Sequence, residues 1–475
     1  MVLQFAQMAV LARYLSAEAF GLFAEAMVVV GIALAFVDVG LSPALVQRER
    51  VDGRTISALF WFVAGISLAC GFLVWITSDW VAAFYGVPEL VSLLKIASLF
   101  VIVFGVGQVP LAVLQKELAF DRLSKVDVVS AVLGVTTAVS CAMGGLGAQA
   151  PLLGLLVSGI VRLSGLLIVV QGVWRPSLHF SLVETKPFLS FGAYQTGERF
   201  VNYLAANLDF VIIGRFLGPA ALGPYYIAYQ VVVQPMVRLN PVLTRVAFPL
   251  FSKVQEEDSV ICRGYVRITK LVAFVSVPLL IGMAVVAPSF FRVYLGTEWE
   301  ESDFLSTIQL AQILVPVSML KCLANPLGSA FLAKGRPDIG FGLNGSRLVL
   351  NAVLFCWSLQ WGLQGVALAY VVSSVLAFWA GHYLLGRILP LGLGSMLRAV
   401  ASTVFAGTVM GILVSLAQFG TAGILIQPLH KLFFLVSLGG TAYALLVFRL
   451  EQPLLVDIRR WISGDGGRSD PEGDL

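Results

Sequence analysis

The sequence Arg13-Tyr14-Leu15, followed by Phe20-Gly21-Leu22-Phe23, returns 202 residues later as Arg215-Phe216-Leu217, followed by Leu222-Gly223-Pro224-Tyr225. Each copy lies where one apolar stretch ends and the next begins. Repeats between membrane spans in both halves of a chain are typical of secondary transporters, whose substrate site lies where the halves meet. The repeat therefore predicts a transporter built from two related halves.

The composition is that of a polytopic membrane protein. Of the 475 residues, 58% are hydrophobic and 12% are charged, whereas a soluble domain has about 45–50% apolar and about 25% charged residues. The net charge is +4 without a basic domain, so no nucleic-acid partner is expected. The five cysteines stand singly, with no Cys-x-x-Cys pair and no His–Cys cluster, so we expect no metal site, no cofactor and no disulfide framework.

Apolar runs of about 17–25 residues, the length that crosses a bilayer core, predict fourteen spans. The runs are too long and too uniformly apolar for barrel strands, so we expect helices. The first run is short, because about fifteen residues at 1.5 Å per residue reach about 22 Å of a core about 30 Å thick. The spans are centred on residues 1–15, 20–40, 57–77, 91–113, 126–144, 150–172, 190–214, 222–248, 268–291, 305–331, 341–360, 363–386, 396–418 and 424–448.

We therefore predict an all-α membrane protein in four segments. Residues 1–188 form an N-terminal lobe of helices 1–6 with a truncated first helix, and residues 189–390 form a C-terminal lobe of helices 7–12. Residues 391–450 add helices 13 and 14, and residues 451–475 form a polar tail. The copies of the opening motif lie six helices apart, which predicts parallel repeats related by an axis along the membrane normal. Weaker sequence similarities between the halves are also present: Ala112, Leu114 and Lys116 resemble Ala330, Leu332 and Lys334, and Gly145-Leu146 resembles Gly362-Leu363.

Lysine and arginine are concentrated in every second predicted loop. Residues 48–54, 116–125 and 253–270 are rich in them, whereas residues 297–303, on the opposite side, are acidic. Basic loops stay in the cytoplasm. Both termini are therefore expected on the cytoplasmic side.

The predicted seventh and eighth helices carry a characteristic set of residues. They are Phe191-Gly192-Ala193-Tyr194, Asn207-Leu208-Asp209, Ile213-Gly214-Arg215-Phe216-Leu217-Gly218 and Ala221-Leu222-Gly223. Asp38-Val39-Gly40-Leu41 closes the second helix, and Arg245-Val246-Ala247-Phe248-Pro249 closes the eighth. Over nearly its whole length the chain resembles Wzx-type polysaccharide-repeat flippases of the multidrug, oligosaccharidyl-lipid and polysaccharide exporter superfamily, in the branch of the colanic-acid and teichuronic-acid exporters.

The resemblance implies a two-lobed transporter in the bacterial inner membrane. Such a protein moves an undecaprenyl-pyrophosphate-linked oligosaccharide from the inner to the outer leaflet by alternating access, for polysaccharide export. Its expected partners are this lipid-linked substrate and the membrane lipid. Coupling to a proton or a sodium ion, and contact with polymerase and chain-export machinery, are further expectations.

Cationic side chains inside predicted spans are the candidates for binding a pyrophosphate. A Lys or Arg at the bilayer centre costs roughly 2.5–3.5 kcal/mol, so each needs a partner, water or a function. We expect Arg199, Arg238, Arg162, Lys321 and Asn202 to line a substrate cavity. Arginine suits the role because its guanidinium meets phosphate oxygens in pairs and stays protonated. For Arg199 an internal ion pair that only holds helices together is the alternative.

Three carboxylates accompany these cations. Spacings of four, three and four residues place Glu198, Asn202, Ala205 and Asp209 on one face of the seventh helix, which should point away from lipid. Asp38 lies at the end of the second helix. Asp38, Glu198 and Asp209 are expected either to bind a coupling ion or to brace arginines, and the sequence leaves both open.

The sequence is also compared with what two other functions would require. A cation-coupled multidrug antiporter of the same superfamily would favour acidic cavity residues over the basic ones seen here. A membrane polysaccharide polymerase would need a large catalytic outer loop, and the predicted outer loops are short. The sequence also has no Gly-rich phosphate loop that opens a soluble helix, so we do not expect an enzyme.

Overall fold

A computed structural model describes residues 2–37, 45, 51–238, 257–296, 299–421 and 427–450, and the regular structure in these ranges is helical. The first half contains α1 Val2–Leu11, α2 Ala17–Val37, α3 Gly53–Ile76, α4 Ser78–Tyr85, α5 Leu90–Val106, α6 Gln108–Lys116, α7 Phe120–Met143 and α8 Gln149–Val170. The rest contains α9 Leu182–Val232, α10 Asp258–Tyr294, α11 Glu301–Ala324, α12 Pro326–Ala333, α13 Pro337–Ser358, α14 Gly362–Gly386, α15 Leu393–Gly420 and α16 Pro428–Leu450.

Within the described ranges, eleven helical stretches are long and apolar enough to cross a membrane. Two of them contain a break between two predicted spans. Gly218 interrupts α9 with φ 81° and ψ 173°, which glycine adopts without steric cost, and Gly362, with φ 66°, separates α13 from α14. With these breaks and the ten-residue α1, the prediction of an all-α protein of about fourteen helices is confirmed. Its division into two six-helix lobes plus two helices stays a prediction.

The chain divides into two units. The first contains residues 1–227, 294–306 and 347–366, and the second contains residues 228–293, 307–346 and 367–475. In the first unit α7 and α8 pack through small residues. A Cβ at Gly134 would lie 2.6 Å from Cβ of Ser158, and a Cβ at Gly154 would lie 2.7 Å from the carbonyl oxygen of Gly134. Small residues allow this approach because helices in lipid associate through close packing.

The core of the second unit joins α10, α12, α14 and α15. Tyr265, Phe331, Phe378 and Met396 are buried together there. Helix α16 packs on α15, and the Tyr443 hydroxyl donates a hydrogen bond of 2.9 Å to the carbonyl oxygen of Phe274 on α10. The two C-terminal helices therefore pack on the same core as α10.

The two copies of the opening motif contact each other within the first unit. A Cβ at Gly21 would overlap the carbonyl oxygen of Pro219, and a Cβ at Gly223 would overlap the carbonyl oxygen of Ala17. Gly21 is equivalent to Gly223, and Ala17 to Pro219, at the repeat spacing of 202 residues. The glycine of each copy therefore contacts the backbone of the other copy. Two elements related by a two-fold axis form reciprocal contacts of this kind.

The backbone repeats other features along the chain. Gly107 separates α5 from α6, and Asn325 separates α11 from α12. The short helix is followed by a residue of positive φ in both copies, Leu118 with φ 56° and Gly335 with φ 66°. Gly145, with φ 79°, corresponds to Gly362. These matching backbone features lie at the weaker sequence similarities between the two halves and support the internal repeat.

Candidate functional site

The kinked helix α9 carries the polar residues of the predicted seventh helix. Asp209 is 1% exposed, and its Oδ2 accepts a hydrogen bond of 2.7 Å from the Tyr225 hydroxyl. Because Asp209 precedes Gly218 and Tyr225 follows it, this bond joins the two arms of α9. The structure therefore brings Asp209 to the junction of the seventh and eighth helices.

Arg199 and Asn202 lie on the first arm of α9, three residues apart, and both are half-buried. Residues three apart share one face of a helix. The side chain of Glu198 and the whole of Asp38 lie outside the described residues. Arg238 is exposed and is the last described residue before position 257.

Arg162 on α8 forms an ion pair with Asp127 on α7. The Nε–Oδ1 distance is 2.8 Å, and the two side chains are 28% and 50% exposed. An ion pair on exposed faces of two spans is costly against acyl chains and is expected to face protein or water. Asp127 was not identified as the partner from the sequence, although it lies within the predicted fifth span.

Lys321 lies among aromatic rings in the second unit. Its Nζ donates a hydrogen bond of 2.5 Å to the hydroxyl of Tyr370 on α14. The ammonium also lies 4.8 Å from the centroid of the Tyr370 ring and 5.5 Å from that of Tyr229. Ring faces attract a desolvated cation by about 2 kcal/mol. This arrangement stabilises a positive charge within a membrane helix.

Glu25 on α2 is a buried carboxylate that was not predicted from the sequence. It is 0% exposed, and neither carboxylate oxygen has a hydrogen-bond partner in the described part of the chain. Gly214 and Tyr85 lie next to it. An ionisable residue inside a membrane span is by default a candidate functional residue. The signal for it is an acid well inside the predicted span 20–40, away from Asp38 at the end of that span; a search for cations alone passes over it.

Metal ligands do not cluster in the part of the chain that the structure describes. No group of three or more His, Cys, Asp or Glu side chains is placed there to hold a metal ion. The five cysteines are free thiols. The arrangement provides charged and aromatic side chains within membrane helices, which suit the binding of a charged solute.

The chain matches known proteins over most of its length. The family model described as "polysaccharide biosynthesis protein" matches residues 10–303. The teichuronic acid biosynthesis protein TuaB of Bacillus subtilis (strain 168) is 34% identical over 418 residues, which cover 87% of this chain and 84% of that protein. The lipopolysaccharide biosynthesis protein WzxC of Escherichia coli (strain K12) is 31% identical over 382 residues, which cover 78% and 76%.

The fold is also that of a solved transporter. A structure of the lipid II flippase MurJ in an inward closed conformation superposes with a TM-score of 0.75, covering 96% of this chain and 97% of that one at 14% identity. At this identity the likeness shows the fold alone. The matches in sequence confirm the predicted resemblance, and the chain belongs to the polysaccharide biosynthesis protein family.

Proposed function

We propose that this protein is a flippase that moves an undecaprenyl-pyrophosphate-linked oligosaccharide across the bacterial inner membrane by alternating access, for polysaccharide export. The observation that carries the proposal is the match over 87% of the chain to a teichuronic acid biosynthesis protein. The match to a lipopolysaccharide biosynthesis protein and the fold of a lipid II flippase support it. These proteins are named for teichuronic acid biosynthesis, lipopolysaccharide biosynthesis and the flipping of lipid II, and the protein is a transporter rather than an enzyme.

The cations of the spans supply the chemistry for a pyrophosphate. We assign substrate binding to Arg199, Arg238, Arg162, Lys321 and Asn202. The Arg162–Asp127 pair is partly exposed on two spans, which supports a position in a watery cavity. Arg199 and Asn202 share one face of α9, so a guanidinium and an amide can approach one ligand together.

Several finer assignments belong to the same proposal. We assign both termini to the cytoplasm because the basic loops lie on their side. Coupling to a proton or a sodium ion is assigned to the carboxylates Asp38, Glu198 and Asp209, with the bracing of arginines as the alternative role. The lobes at 1–188 and 189–390 are the two bodies whose relative movement would alternate access. Polymerase and chain-export proteins are proposed partners.

The drug antiporter of the same superfamily is less well supported. The relatives TuaB and WzxC are named for polysaccharides rather than for drugs. Four of the five candidate substrate-binding residues are basic, which suits an anionic cargo. Export of cationic dyes without transfer of lipid-linked sugars would select the antiporter.

Complementation of a flippase-deleted strain tests the proposal and the site together. We expect the wild-type chain to restore polysaccharide at the cell surface and Arg199→Ala to abolish it, because an ionic contact to phosphate is lost. Lys95→Ala is the matched control, since Lys95 is a half-buried cation of α5 whose Nζ lies 5.7 Å from the centroid of the Trp75 ring. Full complementation by Arg199→Ala at equal protein levels would remove Arg199 from the site.

A further inference from the structure

Glu25 lies where α2 crosses α9 on both sides of the kink at Gly218, inside the first unit. The crossing is close along its length: Gly21 of α2 meets the backbone of Pro219, and the ring of Tyr203 would overlap a Cβ at Gly31. A Cβ at Gly214 would lie 2.9 Å from Oε1 of Glu25 and 3.0 Å from Cε1 of Tyr85. The absence of a side chain at Gly214 therefore makes the space that the carboxyl group occupies.

The described groups around this carboxyl do not compensate a negative charge. The Tyr203 hydroxyl donates its hydrogen bond to the carbonyl oxygen of Met27, at 3.1 Å, rather than to Glu25. Tyr85 on α4 lies near Glu25 and, like Tyr203 on α9, is an uncharged phenol. Neither oxygen of Glu25 has a hydrogen-bond donor in that part of the chain.

An ionised carboxylate is unstable in such a position. Burying an isolated charge costs far more than burying a neutral carboxylic acid, so the group neutralises instead. A proton neutralises the group without any further ligand, whereas a metal cation needs several oxygen ligands, and the described residues place no cluster of three or more acidic, His or Cys side chains. A proton is the cation that fits the space.

We propose that Glu25 is a proton-binding site of this protein. The carboxyl group holds one proton while α2 and α9 are packed together, and it releases the proton to water when the two helices separate. The crossing joins the predicted N-terminal lobe, which contains α2, to the predicted C-terminal lobe, which contains α9. Relative movement of the lobes therefore exposes Glu25. This inference rests on the proposed transport function and places a coupling proton at Glu25, which leaves Asp38, Glu198 and Asp209 the alternative role of bracing arginines.

Infrared spectroscopy of the protein in lipid nanodiscs tests the site without any substrate. We expect the wild-type protein at neutral pH to show the carbonyl band of a protonated carboxylic acid, and Glu25→Gln to lose that band. Gln has the size of a protonated Glu, so the variant should fold. Glu18→Gln on the same helix is the control, because Glu18 is exposed and should not contribute to the band. An unchanged band in Glu25→Gln overturns the proton site.

Flipping in proteoliposomes under an imposed pH gradient tests the coupling. We expect the rate for a lipid-linked oligosaccharide to depend on the direction of the gradient in the wild type, and to be independent of it in Glu25→Gln. A wild-type rate that ignores the gradient, or a gradient response that survives in Glu25→Gln, overturns the coupling. A wild-type protein that has the infrared band but flips no lipid-linked oligosaccharide contradicts the proposed function while it supports the proton site.

Discussion

Aromatic and carboxylate side chains stabilise the charges inside the membrane helices of this protein. Lys321 illustrates the point, because its ammonium combines a hydrogen bond to Tyr370 with the faces of two tyrosine rings. Arg162 instead uses a carboxylate on the neighbouring helix. Both cations therefore have internal partners, and a cargo phosphate would join or displace these contacts.

The Tyr370 hydroxyl is expected to contribute to stability, and Tyr370→Phe tests this. The change removes the hydroxyl that accepts a hydrogen bond from the Lys321 ammonium. Loss of a hydrogen bond to a charged group costs about 1.5–3 kcal/mol. Tyr383→Phe is a matched control, because the Tyr383 hydroxyl also accepts a hydrogen bond from a cation, Arg387, but lies 61% exposed. We expect thermal unfolding in detergent to shift clearly for Tyr370→Phe and little for Tyr383→Phe. Equal shifts would contradict a stabilising hydrogen bond between Lys321 and the Tyr370 hydroxyl.

The sequence predicts the candidate charges better than their partners. A Lys in an apolar span identifies Lys321, but Tyr370 lies 49 residues away and reaches it only through helix packing. Asp209 was predicted on the polar face of its helix, and its bond to Tyr225 depends on the kink at Gly218. Glu25 is recognisable as an acid well inside an apolar run, although its burial depends on the glycine at position 214 of another helix.

The helices cross most closely where glycines repeat. Gly21 and Gly223 occupy equivalent places in the two motif copies, and each approaches the backbone of the other copy. Hydrophobic patterning predicted the helices themselves, but single spans were expected at 91–113 and 305–331. Each is broken, at Gly107 and Asn325, because a run of apolar residues does not reveal an interruption within it.

The contact at Gly21 is expected to tolerate no side chain. Gly21→Ala places a methyl group against the backbone of Pro219, and such overpacking costs about 1–3 kcal/mol. Gly65→Ala on α3 is the control, since nothing lies within 4 Å of a Cβ there and Ala is the better helix former. Thermal unfolding should fall to lower temperature for Gly21→Ala alone. If both variants were equally stable, the close crossing of α2 and α9 would be refuted.

At the scale of the whole molecule, internal repetition organises the chain. The reciprocal glycine contacts, the matching helix breaks and the matching positive-φ residues all recur at nearly constant offsets. Such repeats supply the two bodies of an alternating-access transporter. The proposed cargo carries about two negative charges, and its outward transfer across an inside-negative membrane gains about 2.3 kcal/mol per charge per 100 mV.

The main proposal is that this protein transports a lipid-borne anion. It is tested in proteoliposomes by measuring how fast an undecaprenyl-pyrophosphate-linked oligosaccharide moves between leaflets, with and without an imposed potential. We predict protein-dependent transfer that accelerates toward the outer leaflet when the inner side is negative. The control is the same lipid in vesicles without protein. Transfer no faster than in empty vesicles, or a protein-dependent rate that ignores the potential, would contradict the passage of a lipid-borne anion through this fold.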